Sequence, residues 1–417
     1  MTKRRENTER GIAFNVAMLY IMNISKLIFP LITLPYLTRV LSVETYGVVS
    51  YVKATMVYAQ LIVDFGFLLS GVKAITENRD DRDKLGKITG NIVFAKILLS
   101  IVSGVFIGIF SIFIPILREN PLFVFLSLIP VILTIFLFDF LFRGIEQMHI
   151  ITIRYVLMKA ITVGLTLIFV KSDRDMMLIP VLDIIGSLAA IVLVIIEVRK
   201  LGIKLNFSGR LKGAILAVRE SALYFISDAA TTVFGALNTV IIGIFMSKTD
   251  VAYWAVCLQL VNAVKAMYTP VTNGIYPRMI QTKDLRIIKK SLQIFMPLIV
   301  IGCVIVLIFS ENILTIVGSI KYVGAAQTMR CLVPVLFFCF PAMLFGWPCL
   351  GAINKVADTT KTTIAAACVQ IVGLSFIAIT GKFSLISVAL VKSFTEMCLM
   401  AFRLRYCYRY RNEFRKG

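Results

Sequence analysis

The sequence predicts an all-α polytopic membrane protein, with twelve transmembrane helices in two six-span halves. Three observations carry this expectation. The 417 residues are 59% hydrophobic and 16% charged, a balance that belongs to integral membrane chains. The apolar residues come in runs of about 20 or more, the length needed to cross a bilayer as a helix. The cations sit mostly in short breaks between those runs, dense in every second break and sparse in the others.

Taken in order, the first six spans are expected near 11–38, 45–71, 88–115, 121–142, 151–170 and 177–198. The second six are expected near 216–246, 250–278, 291–317, 325–350, 362–380 and 384–407. The opening MTKRRENTER is basic and runs straight into a long apolar segment. It reads as an uncleaved first span with a cytoplasmic N-terminus rather than a signal peptide. The longest break, 200–213, is rich in glycine and basic residues and lies near the middle of the chain. It is taken as the linker between lobes 1–199 and 214–417. Six spans per lobe give the two lobes the same orientation, as in parallel-repeat transporters. A weak internal repeat agrees: LSVETYG (41–47) and MSKTDVAY (246–253) each break the first two spans of a lobe.

Thirty-one Lys and Arg residues fall in one set of breaks and eight in the other. The richer set, which includes Arg143, Arg154, Lys159 and the tail from Arg403, is expected in the cytoplasm together with both termini. A net charge of +21 would raise nucleic-acid binding in a soluble chain. Here the charge is a topology signal, and no nucleic-acid partner is expected. The eight cysteines, between Cys257 and Cys407, lie mostly inside apolar runs and indicate neither a disulfide framework nor a zinc site. No metal and no cofactor is expected. No Walker-type glycine loop, HExxH or GxSxG stands out, and no loop is long enough for a catalytic domain, so the protein is not expected to be an enzyme.

Five cations are placed inside spans: Lys26, Lys53, Lys96, Lys265 and Lys392. A charge at membrane depth costs about 3 kcal/mol on insertion scales, so such groups face protein or a wet cavity. At 100° per residue, Tyr46, Ser50, Lys53, Gln60 and Asp64 share an arc of the second span. Asn15, Lys26, Pro30 and Thr33 share a face of the first, with Asn23 at its margin. The second lobe repeats the pattern. Ser221, Asp228, Thr232, Gly235 and Thr239 line one side of the seventh span, and Asn262, Lys265, Thr269, Thr272 and Tyr276 one side of the eighth. The stripes either line a pathway or glue helices together by hydrogen bonds; their recurrence at the head of both lobes favours the pathway. Lys392 with Glu396, and Asp139 with Arg143, are spaced i, i+4 and are expected to pair. His149 is placed in a solvated loop, and the basic aromatic tail on anionic lipid.

Three motifs in order resemble a known family: PYLTRVLSVETYG (35–47), VDFGFLLSGVKAITENRDD (63–81) and FRGIEQMHIITIRYVLMKAITVGLTLIFVKSDRD (142–175). Together they resemble the Wzx-type lipid-linked oligosaccharide flippases. These form the polysaccharide-transporter branch of the multidrug/oligosaccharidyl-lipid/polysaccharide exporter superfamily. The resemblance implies two six-helix lobes around a central cavity, working by alternating access in the bacterial inner membrane. Its substrate would be an undecaprenyl-pyrophosphate-linked oligosaccharide repeat unit carried from the cytoplasmic to the periplasmic leaflet. A polysaccharide polymerase and glycosyltransferases are the implied protein partners. An anionic, hydroxyl-rich headgroup suits Lys26, Lys53 and Lys265 as cations and Asn23, Gln60, Asn262 and Tyr276 as hydrogen-bonding groups. Asp64 and Asp228 are candidates for ion coupling, or else neutralise nearby lysines. Arg39 is a candidate for an outer gate, or else a structural turn residue. The rival readings are an ion-coupled multidrug exporter of the same architecture and, further off, a polytopic glycan polymerase or transferase.

Overall fold

The computed structural model describes residues 2–206 and 210–414. It leaves undescribed the side chains of residues 2–13, Val16, Arg210 and Val233 within that range. The basic cluster at the N-terminus, the middle of the 200–213 linker and the last tail cations therefore lie outside what is described. The described chain is helical throughout, with no strand. Its α-helices are α1 Thr2–Val40, α2 Val43–Asp64, α3 Phe67–Glu77, α4 Arg82–Phe113, α5 Pro115–Arg118, α6 Pro121–Leu133, α7 Asp139–Gly144, α8 Met148–Phe169, α9 Leu178–Lys200, α10 Arg210–Phe245, α11 Lys248–Thr282, α12 Leu285–Gly318, α13 Ala326–Leu344, α14 Val356–Ile379 and α15 Leu385–Arg409. Among the described residues eleven segments are long and apolar enough to cross a membrane. A bent pair within α10, Leu211–Thr232 with Phe234–Phe245, makes twelve when counted as one span. The protein is thus a multi-pass, all-α membrane protein.

Besides the bend within α10, three other expected spans are broken rather than straight. The span near 45–71 becomes α2 and α3, because Phe65 (φ 39°) and Gly66 (φ 75°) adopt left-handed backbone between them. That geometry cannot continue a right-handed helix. The span near 121–142 divides at Phe138 (φ 48°) into α6 and α7. The span near 325–350 ends in a π-helical turn, Phe345–Leu350. Pro130, Pro341 and Pro348 lie in or beside the last two irregular stretches; proline withholds an amide and so loosens a helix.

By packing, the chain divides into two compact units. The first is Met1–Leu41 with Tyr51–Ala229, and the second is Ser42–Ser50 with Ala230–Gly417. This division follows contacts, whereas the one at 200–213 follows chain order and charge. In the first unit α8 packs on both α1 and α9, α6 on α9, and α3 on α7. The Tyr36 hydroxyl donates to the carbonyls of Leu167 (2.8 Å) and Val170 (2.7 Å), tying α1 to the end of α8. The start of α10 belongs here because Phe225 stacks on Phe65 (4.3 Å between centroids) and Ser221 hydrogen-bonds Ser70 (2.6 Å). Asp81 caps α4. Its carboxylate accepts from the Lys84 amide at 3.0 Å, and that bond holds the carboxyl below its usual range.

In the second unit α13 packs against α11, α12 and α15, and α14 against α15. Leu332, Leu336, Cys339, Phe340 and Leu344 of α13 are buried. Trp254, fully buried, donates its indole N–H to Thr239 at 3.1 Å. The two repeat-like breaks use the same device. The Ser42 hydroxyl accepts from the Thr45 amide (3.2 Å) and the Ser247 hydroxyl from the Asp250 amide (3.2 Å), each an N-cap for the helix that follows. The breaks also touch. A Cβ on Gly47 would lie 2.0 Å from the Lys248 carbonyl oxygen, so only glycine allows that approach. Tyr46, assigned above to a polar stripe, is buried edge-on against Tyr322 at 6.1 Å.

Candidate substrate-binding site

The intramembrane cations separate into paired and unpaired. In the first unit Lys96 is buried, with its ammonium 2.8 Å from the Asp64 carboxylate. The other Asp64 oxygen accepts from Gln60 (2.7 Å), and Gln60 in turn donates to Thr134 (3.0 Å). Asp64 and Gln60 are therefore members of one polar network joining α2, α4 and the chain between α6 and α7. Lys26 and Lys53 are exposed, and neither enters an ion pair among the described residues. The Lys26 ammonium lies 5.6 Å from the centre of the Tyr155 ring. Asn23 is exposed beside it on α1. Asn15 is engaged, donating to the Glu146 carbonyl at 2.8 Å. Arg39 is exposed at the end of α1, and Asp228 is half-buried in α10 without an ion-pair partner among the described residues.

In the second unit the expected pairing changes. Glu396, 2% exposed, bridges to Lys265 at 3.3 Å, and not to its i−4 neighbour Lys392. The Lys392 ammonium instead lies 2.8 Å from the Phe234 carbonyl oxygen and 3.8 Å from the centre of that ring, with the Gln370 side-chain oxygen at 3.5 Å. Gln370 also donates to Asn238 at 3.1 Å. α15 thus holds Lys392 and Glu396 against different helices. Asn262 is exposed on α11, and Tyr276 sits further along the same helix on a cavity of about 430 Å³. The cytoplasmic-end pairing changes too. Asp139 pairs with Arg154 and not with Arg143. Arg154 and Lys159, counted above as loop cations, lie inside α8, where Arg154 is 3% exposed. His149 belongs to the first turn of α8, its ring 5.9 Å from Phe14.

Of the residues named from sequence, the structure brings Gln60 and Asp64 together. It leaves Lys26, Lys53 and Asn262 open and neutralises Lys265. It also adds residues that sequence reasoning passed over: Glu396 as partner of Lys265, Thr134 as partner of Gln60, and Trp347 and Arg403 beside Tyr276. A signal for Trp347 was present. It is one of two tryptophans and stands in the helix-breaking run GWP.

A helical chain with twelve spans and charged stripes in its first helices has the fold of a membrane transporter. Two solved structures share it. One is an inward-facing multidrug resistance MATE family transporter of the MOP superfamily, with a TM-score of 0.67 and 13% identity, covering 95% of this chain and 97% of that one. The other is the lipid II flippase MurJ in an inward closed conformation, with a TM-score of 0.67 and 13% identity, covering 94% and 87%. At that identity the likeness is one of fold. Residues 12–283 match the family described as polysaccharide biosynthesis protein, and the chain belongs to that family. Two relatives carry the name "Putative O-antigen transporter". The Escherichia coli (strain K12) protein is 25% identical over 408 residues, 94% of this chain and 95% of its own length. The Shigella dysenteriae protein is 28% identical over 272 residues, 64% of this chain and 66% of its own.

Proposed function

We propose that the protein is a flippase for an undecaprenyl-pyrophosphate-linked oligosaccharide, moving it from the cytoplasmic to the periplasmic leaflet of a bacterial inner membrane by alternating access. The observation that carries this reading is the pair of ammonium groups, Lys26 and Lys53, that enter no ion pair among the described residues and stand in the two leading apolar helices. Holding a cation at membrane depth costs roughly 3 kcal/mol. A pyrophosphate would supply both ammonium groups with a counter-charge. Charge-assisted hydrogen bonds to an ammonium are about twice as strong as neutral ones. Asn23 lies one helical turn from Lys26 and offers a hydrogen-bonding group to sugar or phosphate oxygens. The polyprenyl tail, being hydrocarbon, stays in lipid. Lys265 enters substrate binding only as one half of its ion pair with Glu396.

Family membership and the two O-antigen transporter relatives support the substrate class. The fold shared with a lipid II flippase supports the reaction. The rival reading, export of cationic drugs, calls for free carboxylates. Asp64 and Glu396 are both committed to lysines. Of the two acids named for coupling from the sequence, that leaves Asp228 without an ion pair among the described residues, and we assign ion coupling, where it operates, to Asp228 rather than Asp64. The termini are assigned to the cytoplasm, and the lobes to 1–199 and 214–417, on charge and chain order.

In cells the reading is tested by removing the protein and asking where the lipid-linked oligosaccharide stays. It should accumulate shielded from a glycosidase confined to the periplasm. Accumulation in a form that enzyme cleaves as readily as before would contradict the reading.

A further inference from the structure

The cavity beside Tyr276 belongs wholly to the second unit, and its walls have two chemistries. One is aromatic. Trp347 and Tyr276 meet edge to face, centroids 6.4 Å apart at 81°. The other is polar: Thr269 and Asn273 come from α11 and Arg403 from α15, with Met343 of α13 completing the wall. At about 430 Å³ the space falls within the range of small-molecule sites, roughly 300–1,000 Å³.

Local structure explains how the tryptophan comes to face this space. The π-helical turn Phe345–Leu350 interrupts the helical path directly after α13, and Gly346 within it takes a non-helical ψ of −112°. A Cβ on Gly346 would meet the Arg403 Nη1 at 2.9 Å, so glycine lets the guanidinium lie against the backbone. Arg403 is then held by the Ala342 carbonyl (2.8 Å) and the Thr363 hydroxyl (3.2 Å). The result is a fixed wall beside an open ring. Trp347 is 55% exposed, whereas the other tryptophan, Trp254, is fully buried. Asn273 and the Tyr276 hydroxyl have no hydrogen-bond partner among the described residues. Large planar rings beside unpartnered amide and hydroxyl groups match a pyranose. Its C–H faces stack on an aromatic surface, and its hydroxyls need donors and acceptors at the edge.

We propose that this cavity is a sugar-binding subsite, with Trp347 as the platform on which one pyranose ring of the oligosaccharide stacks and Asn273 and Tyr276 as its hydrogen-bonding edge. The proposal rests on the flippase reading and adds to it a place within the second unit that takes sugar.

The test uses the full chain in nanodiscs and two probes, undecaprenyl pyrophosphate without sugar and undecaprenyl pyrophosphate bearing a tetrasaccharide. The wild type should bind the sugar-bearing probe about tenfold more tightly, the worth of one good aromatic contact. That probe alone should shield Trp347 from acrylamide quenching. Trp254 is buried and contributes little to the quenched signal. Trp347→Ala should abolish the tenfold gap while leaving the affinity for the sugar-free probe unchanged, and Trp347→Phe should keep part of it. Absence of shielding in the wild type overturns the subsite without need of any variant. So does a gap that survives Trp347→Ala, or a Trp347→Ala protein that loses both probes equally; in each case the flippase reading stands. Failure of the wild type to bind either probe overturns both.

Discussion

The ion pair between Lys265 and Glu396 makes a prediction that can be worked from its geometry. At 3.3 Å and an effective dielectric of roughly 20, two unit charges attract by about 5 kcal/mol. Most of this is offset by the cost of taking both ions out of water. Removal of one partner exposes that cost. Lys265→Met would leave Glu396, 2% exposed, without its ion-pair partner, since the Lys392 ammonium is already held by the Phe234 carbonyl. Glu396→Gln would leave two ammonium groups in one buried neighbourhood with no acid. Each single variant should lose about 3–5 kcal/mol of stability. The double variant should lose less than the sum by at least about 2 kcal/mol, because it strands no charge. The measurement is reversible unfolding in mixed micelles with increasing SDS, followed by the emission of buried Trp254 and by circular dichroism. Losses that add within about 0.5 kcal/mol would refute the pairing.

Other expectations follow the same logic. Asp64→Ala should cost about 2 kcal/mol by stranding the buried Lys96, whereas Lys96→Met should cost less because Asp64 keeps Gln60 and partial solvent; micelle unfolding compares them. Gly47→Ala should destabilise by about 1–3 kcal/mol or more, since the Lys248 carbonyl stands where the methyl must go, and the same titration reads it. Ser247→Ala removes a capping hydrogen bond at the start of α11 and should cost about 1 kcal/mol, with faster amide exchange at Asp250. The Asp81 cap has a defined pH sense. Its carboxyl is held below the ordinary range in the fold, so the cap is intact at neutral pH and is lost as pH falls through that lowered value. Exchange at the Lys84 amide should quicken there and stay unchanged in the neutral range.

The membrane spans were legible because hydropathy and span length obey one-dimensional rules. α4, α8, α14 and α15 lie close to where apolar runs predict them. The breaks were harder to read. Phe65 and Phe138 hold left-handed backbone that nothing in their residue type announces. Ion-pair partners were the least legible. Sequence offers the i, i+4 neighbours, Lys392 for Glu396 and Arg143 for Asp139. The fold selects Lys265 and Arg154, because helix rotation against a neighbour decides which charge is near enough to reach. Lys96 with Asp64 and Lys265 with Glu396 are separated by 32 and 131 positions, and no local periodicity links them. The polar stripes of α1 and α2 did carry information, since they contain Lys26 and Lys53, two span cations with no ion pair among the described residues. Stripe membership alone did not separate those from residues spent on packing, as Tyr46 is.

The central claim is that this chain moves an undecaprenyl-pyrophosphate oligosaccharide across a bilayer using uncompensated lysines, and leaflet exchange in liposomes tests it most directly. Purified protein should give exchange well above protein-free vesicles, and Lys53→Ala should reduce it while the protein stays folded. Exchange that is unaffected by Lys53→Ala would remove that lysine from the mechanism. No exchange, with or without a proton or sodium gradient, would contradict the account.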